Sequence, residues 1–434
     1  AVTVNGVVSS DDRLLGDGTD NVITGTPQRD YFMVHQGGND TIHALAGNDT
    51  IYFGAAFTAG DTVNAAEGID SIILQGNYGA GLTFGTGLVS NISGVDTISL
   101  APGNFTDWGD TANNFYDYDL TMLDANVGAG ELLKINGFYL RAGEDLTVDA
   151  SAETNGRYFI FAGQGVDDLT GGDGNDIFVF GHDGRLGNTD TVDGGDGYDS
   201  VYLRGDYAID FTAGGFTGTM TSIESITLGW AADTQFVAGG DGEFDYNIVW
   251  DDAMLATGAT ITVNGSGLAA NETMIFDGSD EAGGKFRLFG GAALDTLTGG
   301  DGDDLIYGGL GWDTLTGNGG SDTFRYYDKA ESAPVPGSFD QINAFTHLVD
   351  KIDLENMDAN DNVDGNQAFT FIGSALFATG GASAGQLRAV KLPASFGPNT
   401  WQLEGDTNGD GTPDLLIRMT VEAGQPLTVA DIFL

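Results

Sequence analysis

Residues 290–325 read GGAALDTLT, GGDGDDLIY, GGLGWDTLT and GNGGSDTFR, one nine-residue pattern written four times without a gap. Glycine or another small residue fills most of the first, second and fourth positions. Asp holds the sixth in every unit: Asp295, Asp304, Asp313 and Asp322. Leu297, Ile306, Leu315 and Phe324 hold the eighth. A flexible Gly/Asp linker has no reason to return an apolar residue at a fixed interval, so the stretch is structural.

Each half of the unit has its own physical task. The six residues GGxGxD turn sharply, because glycine tolerates backbone conformations that let carbonyls converge. Gly291, Gly300, Gly302, Gly309, Gly311 and Gly320 hold those turn positions. Converging carbonyls and a carboxylate form the donor set of a hard cation, Ca²⁺ before others. The last three residues make a short strand whose central side chain points inward. A nonapeptide of this kind forms a calcium-binding parallel β-helix. Two units complete a coil, so Asp295 is expected to stack on Asp313, and Asp304 on Asp322.

Looser copies lie elsewhere. Asp20, Asp30, Asp40, Asp49 and Asp70 each stand two residues before Val22, Phe32, Ile42, Ile51 and Ile72, with a break in register across residues 54–60. A middle group has Asp167, Asp176 and Asp199 before Leu169, Phe178 and Val201, with Asp190 before Val192 a looser member.

A longer duplication underlies these blocks. The segment from Asp117 (DYDLTMLDANVGAGELLKING) aligns without gaps on that from Asp245 (DYNIVWDDAMLATGATITVNG), an offset of 128 residues. The expected division is an N-terminal repeat block (1–64), two tandem β modules (65–193 and 194–325) and a C-terminal region (326–434). Residues 132–135, 146–148 and 158–161 read as short strands in wider coils of the same solenoid, with an inserted sandwich as the competing picture. TMLDANVGAGELL is the best helical candidate. The fold class is therefore all-β: a calcium-bound parallel β-roll or β-solenoid in tandem modules, followed by a β-rich terminal domain.

Charge narrows the partners. The chain has 15 basic and 64 acidic residues, a net charge of −49, and such a fold repels itself unless cations bind. About ten Ca²⁺ ions would cancel about twenty charges. Nucleic acid and anionic membranes are poor partners for this surface. A hydrophobic content of 41% is too high for an acidic disordered chain. No cysteine is present, which excludes disulfides and thiolate chemistry. The start AVTVNGVVSSDD has no secretory signal pattern, and no apolar run is long enough to span a bilayer.

Composition shifts near residues 331–340, and six of the eight prolines lie beyond residue 333. VDKIDLENMDAN, EGDTNGDGTPDLLIRM and the terminal Asp431-Ile432-Phe433-Leu434 follow. From about Phe324 onward this region resembles the C-terminal domain of serralysin-type secreted metalloproteases, and the nonapeptides resemble the repeats-in-toxin (RTX) family. That resemblance implies an uncleaved type I secretion signal, an exporter as partner, and an extracellular or cell-surface address in a Gram-negative bacterium. It does not bring the protease, because no HExxH is present and His35, His43, His182 and His347 are scattered.

Other motifs weigh less. Asp406, Asn408 and Asp410 open a loop like that of an EF-hand, but Ile417 stands where its closing Glu belongs. The GASAG of residues 381–385 matches a nucleophile elbow without a following His. Arg157 and Lys285 occupy equivalent places in the duplication, a hint of anion or glycan contact. The expected role is a non-enzymatic surface or matrix component that folds and self-associates on binding Ca²⁺, or contacts cell-surface glycan. A secreted polysaccharide-acting enzyme and a monomeric binding protein or effector are the alternatives.

Overall fold

The structure is a computed structural model, and it describes residues 2–5, 13–108, 113–181, 185–212, 218–231, 243–380, 383–422 and 425–434. His182, and Gly381 and Ala382 of the GASAG motif, lie outside the described residues. The chain divides into two compact units. One comprises residues 1–203 and 217–224, the other residues 204–216 and 225–434.

In the second unit the nonapeptides form strands Thr296–Thr298, Leu305–Tyr307, Thr314–Thr316 and Thr323–Arg325. Alternate nonapeptides pair in parallel, Leu297 with Leu315 and Ile306 with Phe324. The strands therefore build two ladders, one on each face of a coil. The apolar residue at position eight is fully buried in all four strands, and such burial stabilises by roughly 1.5–3 kcal/mol per side chain. Flanking threonines suit the pleated surface, where β-branched side chains pack well.

The wider coils belong to the same ladders. In the first unit Leu132–Asn136 pairs in parallel with Arg157–Phe161, which pairs with Ile177–Phe180 of the middle repeats. On the other face Leu146–Asp149 lies between Tyr118–Thr121 and Asp167–Thr170. The duplicated strands Thr260–Asn264 and Lys285–Phe289 repeat this pairing in the second unit. The solenoid picture holds and the inserted sandwich does not.

The expected helix at TMLDANVGAGELL is absent. Only Asp124–Asn126 forms a short 3₁₀ turn, and Gly130 takes a positive φ of 73°. Asn126 is used for a turn instead: its Oδ1 accepts from the Leu123 amide at 2.6 Å, and its Nδ2 donates to the Phe84 carbonyl at 2.8 Å. Asn competes with the helix backbone in this way wherever its side chain finds local partners.

Beyond the last nonapeptide the parallel ladders continue, Gln341–Phe345 on Thr314–Thr316 and Lys351–Asp353 on Thr323–Arg325. Pro334 and Pro336 fall in the connection before Gln341, outside the strands, where their missing amides cost no ladder bond. An antiparallel set, Gln386–Lys391, Thr400–Asp406 and Leu415–Val421, then joins Gln341–Phe345 through its last strand. Ile432–Phe433 closes on Lys351–Asp353.

Candidate metal centre

Each nonapeptide strand is preceded by its Asp, which places one carboxylate per turn at the coil edge. In the second unit one edge carries Asp295, Asp313 and Asp340. The Met274 amide donates to Asp295 Oδ1 at 2.7 Å, Asp295 N to Asp313 Oδ1 at 2.9 Å, and Asp313 N to Asp340 Oδ1 at 2.9 Å. The opposite edge carries Asp304, Asp322 and Asp350. Their chain of bonds runs from Phe286 N to Asp304 at 2.7 Å, Asp304 N to Asp322 at 3.0 Å, and Asp322 N to Asp350 at 3.1 Å.

The second carboxylate oxygen has a different environment. Oδ2 of Asp295 accepts from Gly291 N at 2.6 Å and that of Asp304 from Gly300 N at 2.8 Å, both within their own turns. Oδ2 of Asp313 and of Asp322 is buried with no hydrogen-bond partner. A buried anionic oxygen without a partner is costly, and a bound cation removes that cost.

The first unit repeats the arrangement. Asp30, Asp49, Asp70 and Asp96 form one chain, with bonds of 2.7 Å from each amide to the next carboxylate. Asn21, Asp40 and Asp61 form the other, at 2.9 and 2.7 Å. In the middle block Asp167 N donates to Asp190, Asp176 N to Asp199, and Asp199 N to Glu224. Asp49 Oδ2, Asp70 Oδ2, Asp167 Oδ1 and Asp199 Oδ2 are buried without partners.

Glycine at the turns is a matter of space. A β-carbon on Gly302 would lie 1.9 Å from the Gly284 carbonyl oxygen, on Gly309 2.1 Å from that of Gly291, on Gly311 1.9 Å from that of Ala293, and on Gly320 2.3 Å from that of Gly302. The turns are thus stacked with backbone oxygens packed against the next turn's glycines. Among the described residues no three acidic or histidine side chains converge. A cation held here takes most of its oxygens from the backbone and the rest from carboxylates of stacked turns, a donor set suited to Ca²⁺.

The electrostatics agree with that donor set. Burial pushes Asp322 up to about 8, with the neighbouring Asp350 charge adding to it. Burial likewise raises Asp304, Asp49 and Asp199 to about 7. Asp313 is raised by burial and then by the charge of Asp340. Calcium binding reverses this logic, because a divalent charge stabilises the carboxylate.

Two sequence expectations change. Asp20 is exposed and, among the described residues, accepts from Asn39 N at 2.9 Å, whereas the ladder position belongs to Asn21 and the buried residue is Ile23 rather than Val22. The first repeat is shifted by one because only that register places Ile23 beside Ile42 in the core. Asp61, Asp96, Asp340 and Asp350 were not singled out. Each stands two residues before a ladder apolar residue (Val63, Ile98, Ile342 and Ile352), the signal that would have found them.

The loop at Asp406 lies in a hairpin between Thr400–Asp406 and Leu415–Val421. The Asp406 carboxylate accepts from Gly409 N at 2.7 Å and Gly411 N at 2.9 Å, Asn408 Oδ1 from Asp410 N at 2.8 Å, and Asp410 from Thr412 N at 2.8 Å. These groups are all engaged in shaping the turn. His35 packs on Tyr52 at 5.4 Å, and His43 ends a repeat strand. Ser383 donates to the carbonyls of Ala378 and Gly380.

The family described as RTX calcium-binding nonapeptide repeat (4 copies) matches residues 36–56, 159–181 and 289–324. The chain carries RTX calcium-binding repeats. The matched blocks contain Asp40 and Asp49, Asp167 and Asp176, and Asp295 to Asp322. RTX proteins bind calcium and are typically secreted. No helix among the described residues is long and apolar enough to cross a membrane. No curated protein matches the chain. Among solved structures it is similar to the solution structure of the AlgE6R2 subunit from the Azotobacter vinelandii mannuronan C5-epimerase. That match is 21% identical over 43% of this chain and 91% of the other, at a TM-score of 0.25, too low to speak for the whole fold. The same amide-to-carboxylate ladders extend past the matched blocks through Asp61, Asp96, Asp190, Asp340 and Asp350.

Proposed function

We propose that this is a secreted structural component of a Gram-negative cell surface or extracellular matrix, non-enzymatic, which folds and then assembles as Ca²⁺ fills its RTX edges. The observation that carries the reading is repetition. The chain presents the same groups twice, Asp117 and Asp245, Asp124 and Asp252, Glu144 and Glu272, Arg157 and Lys285, each at equivalent turns or strands. Repeated coils offer an extended periodic surface, suited to lattice, filament or glycan contacts.

The residues from 326 onward serve, on their resemblance to serralysin-type domains, as the address read by a type I exporter. Calcium provides the timing. A site with Kd ~10⁻⁴ M, at the tight end of extracellular modules, contributes roughly 1.4 kcal/mol at ~1 mM Ca²⁺. About ten such sites contribute on the order of 14 kcal/mol, the scale of a whole domain's stability.

The test is particle size by light scattering as Ca²⁺ is raised from chelated to ~10 mM, above the usual extracellular Kd range, with electron microscopy of the end point. Ordered sheets or filaments are expected. A compact monomer throughout overturns the assembly role and favours a binding protein or a polysaccharide-acting enzyme.

A further inference from the structure

We propose that Glu153 and Glu281 are calcium ligands, each closing the end of an RTX edge by sharing one ion with the nonapeptide turn stacked directly on it along that edge, that of Asp176 or Asp304. Neither glutamate lies in a nonapeptide; each belongs to the last wide-coil turn before the repeats begin.

Glu153 is completely buried and Glu281 is 1% exposed. In each, one oxygen is saturated by its own turn. Glu153 Oε1 accepts from the amides of Thr154, Asn155 and Gly156 at 3.1, 3.0 and 2.8 Å. Glu281 Oε1 accepts from Gly283 at 3.0 Å and Gly284 at 2.6 Å. The other oxygen, Oε2, is buried in both copies with no hydrogen-bond partner. A carboxylate fully withdrawn from water with half its acceptors unused needs a positive partner.

Its surroundings are those of an RTX edge. Asp173 N donates to the Glu153 carbonyl at 2.9 Å, and Asp301 N to that of Glu281 at 2.8 Å, so the nonapeptide turn is hung directly on the glutamate turn. A β-carbon at Gly172 would lie 2.8 Å from Glu153 Cβ, and one at Gly300 3.0 Å from Glu281 Cβ. These are the glycines whose amides hold Asp176 and Asp304 at 2.8 Å. Carbonyl oxygens of Gly156 and Gly284 face the following turn in the same close manner as those between successive nonapeptides. In the second copy the nearby Lys285 is committed to Asp303, at 2.8 Å.

The opposite edge supplies an internal contrast. Glu144 and Glu272 are equally buried, yet both of their oxygens are satisfied. Glu144 takes the amides of Gly103, Tyr116 and Arg141 and the Arg141 guanidinium. Glu272 takes the amides of Ala231 and Ala269, at 2.7 Å each. These two hold turns together and need no ion.

The proposal rests on calcium binding by the RTX edges and not on assembly. Calcium bound at saturation is counted by equilibrium dialysis on the full chain and on E153Q, E281Q, the double variant and E272Q. Each substitution at 153 or 281 is expected to remove one ion, while E272Q keeps the full count. A double variant that is folded by far-UV circular dichroism and binds as many ions as the parent, as tightly, overturns the proposal. If the double variant does not fold, anomalous scattering from crystals of the parent grown with Ca²⁺ decides it. A calcium peak is expected about 2.3–2.6 Å from Glu281 Oε2, and none there overturns it. A parent that binds no calcium overturns the RTX reading as well. The count does not depend on whether particles form, so loss of the assembly role leaves it standing.

Discussion

The backbone amide of Asp304 donates to one carboxylate oxygen of Asp322 at 3.0 Å, while the other oxygen of Asp322 is buried with no hydrogen-bond partner. The bond fixes the direction of the carboxylate and leaves its second oxygen as the donor end. An Asp in this position is both a mortar for stacked turns and a charge awaiting compensation.

Replacing Asp322 by Asn separates those two tasks. The amide carbonyl still accepts from Asp304, but the charge is gone. In saturating Ca²⁺ the D322N chain is expected to lose about 1–3 kcal/mol, the scale of an unmet buried polar group. After exhaustive dialysis it is expected to equal or exceed the parent. D303N, exposed on the stacked turn of Asp304 and paired there with Lys285, is the control, its small loss expected to be the same in both conditions. Urea denaturation with and without Ca²⁺ measures both, and equal losses for D322N in the two conditions would sink the ligand role.

The pH dependence of the calcium-free chain follows from the raised carboxyls. Asp322 sits at about 8, and Asp304 and Asp49 at about 7, against about 3.9 when unfolded. A carboxyl raised by folding contributes stability that is complete below the unfolded value and is lost as pH rises through the folded one. Without calcium, the urea midpoint is therefore expected to fall between pH 5 and pH 8.5. Saturating Ca²⁺ holds the charged form and removes that decline. A calcium-free midpoint that rises over the same interval would contradict the burial of these groups.

Gly311 takes a φ of 141°, and a β-carbon there would lie 1.9 Å from the Ala293 carbonyl oxygen. Gly311→Ala must push apart two stacked turns as well as adopt a strained backbone. A loss of more than about 2 kcal/mol is expected, with weaker calcium binding at that edge. Thermal melting and calcium titration check it.

Leu315 is fully buried between Leu297 and Ile342 of its ladder. Leu315→Ala leaves a cavity in a filled coil interior and is expected to cost about 2–5 kcal/mol. Calcium stoichiometry should stay unchanged in the folded variant, which distinguishes a core defect from a ligand defect.

The repeats were legible because two independent periodicities coincide in them, glycines that turn and an apolar residue that returns. Leu297, Ile306, Leu315 and Phe324 fall on the interior as read. Asp20 failed because adjacent Asp20 and Asn21 both suit a turn, and only the packing of Ile23 on Ile42 chooses between them. Asp61, Asp340 and Asp350 were missed because their glycine signal is gone while the Asp-x-apolar signal remains. Glu153 and Glu281 were invisible for a further reason. A buried glutamate in a loop of ordinary composition declares itself only when its partners are counted.

The carboxylate chains have a direction. Along every RTX edge the amide belongs to the earlier turn and the accepting carboxylate to a later one, as in Asp295 to Asp313 to Asp340. The strand amides run the other way, Thr314 N to the Asp295 carbonyl at 2.9 Å and Gln341 N to that of Asp313 at 2.8 Å. Each turn is thus clasped to its neighbour by two opposed bonds at one residue, and a turn can leave the stack only by breaking both.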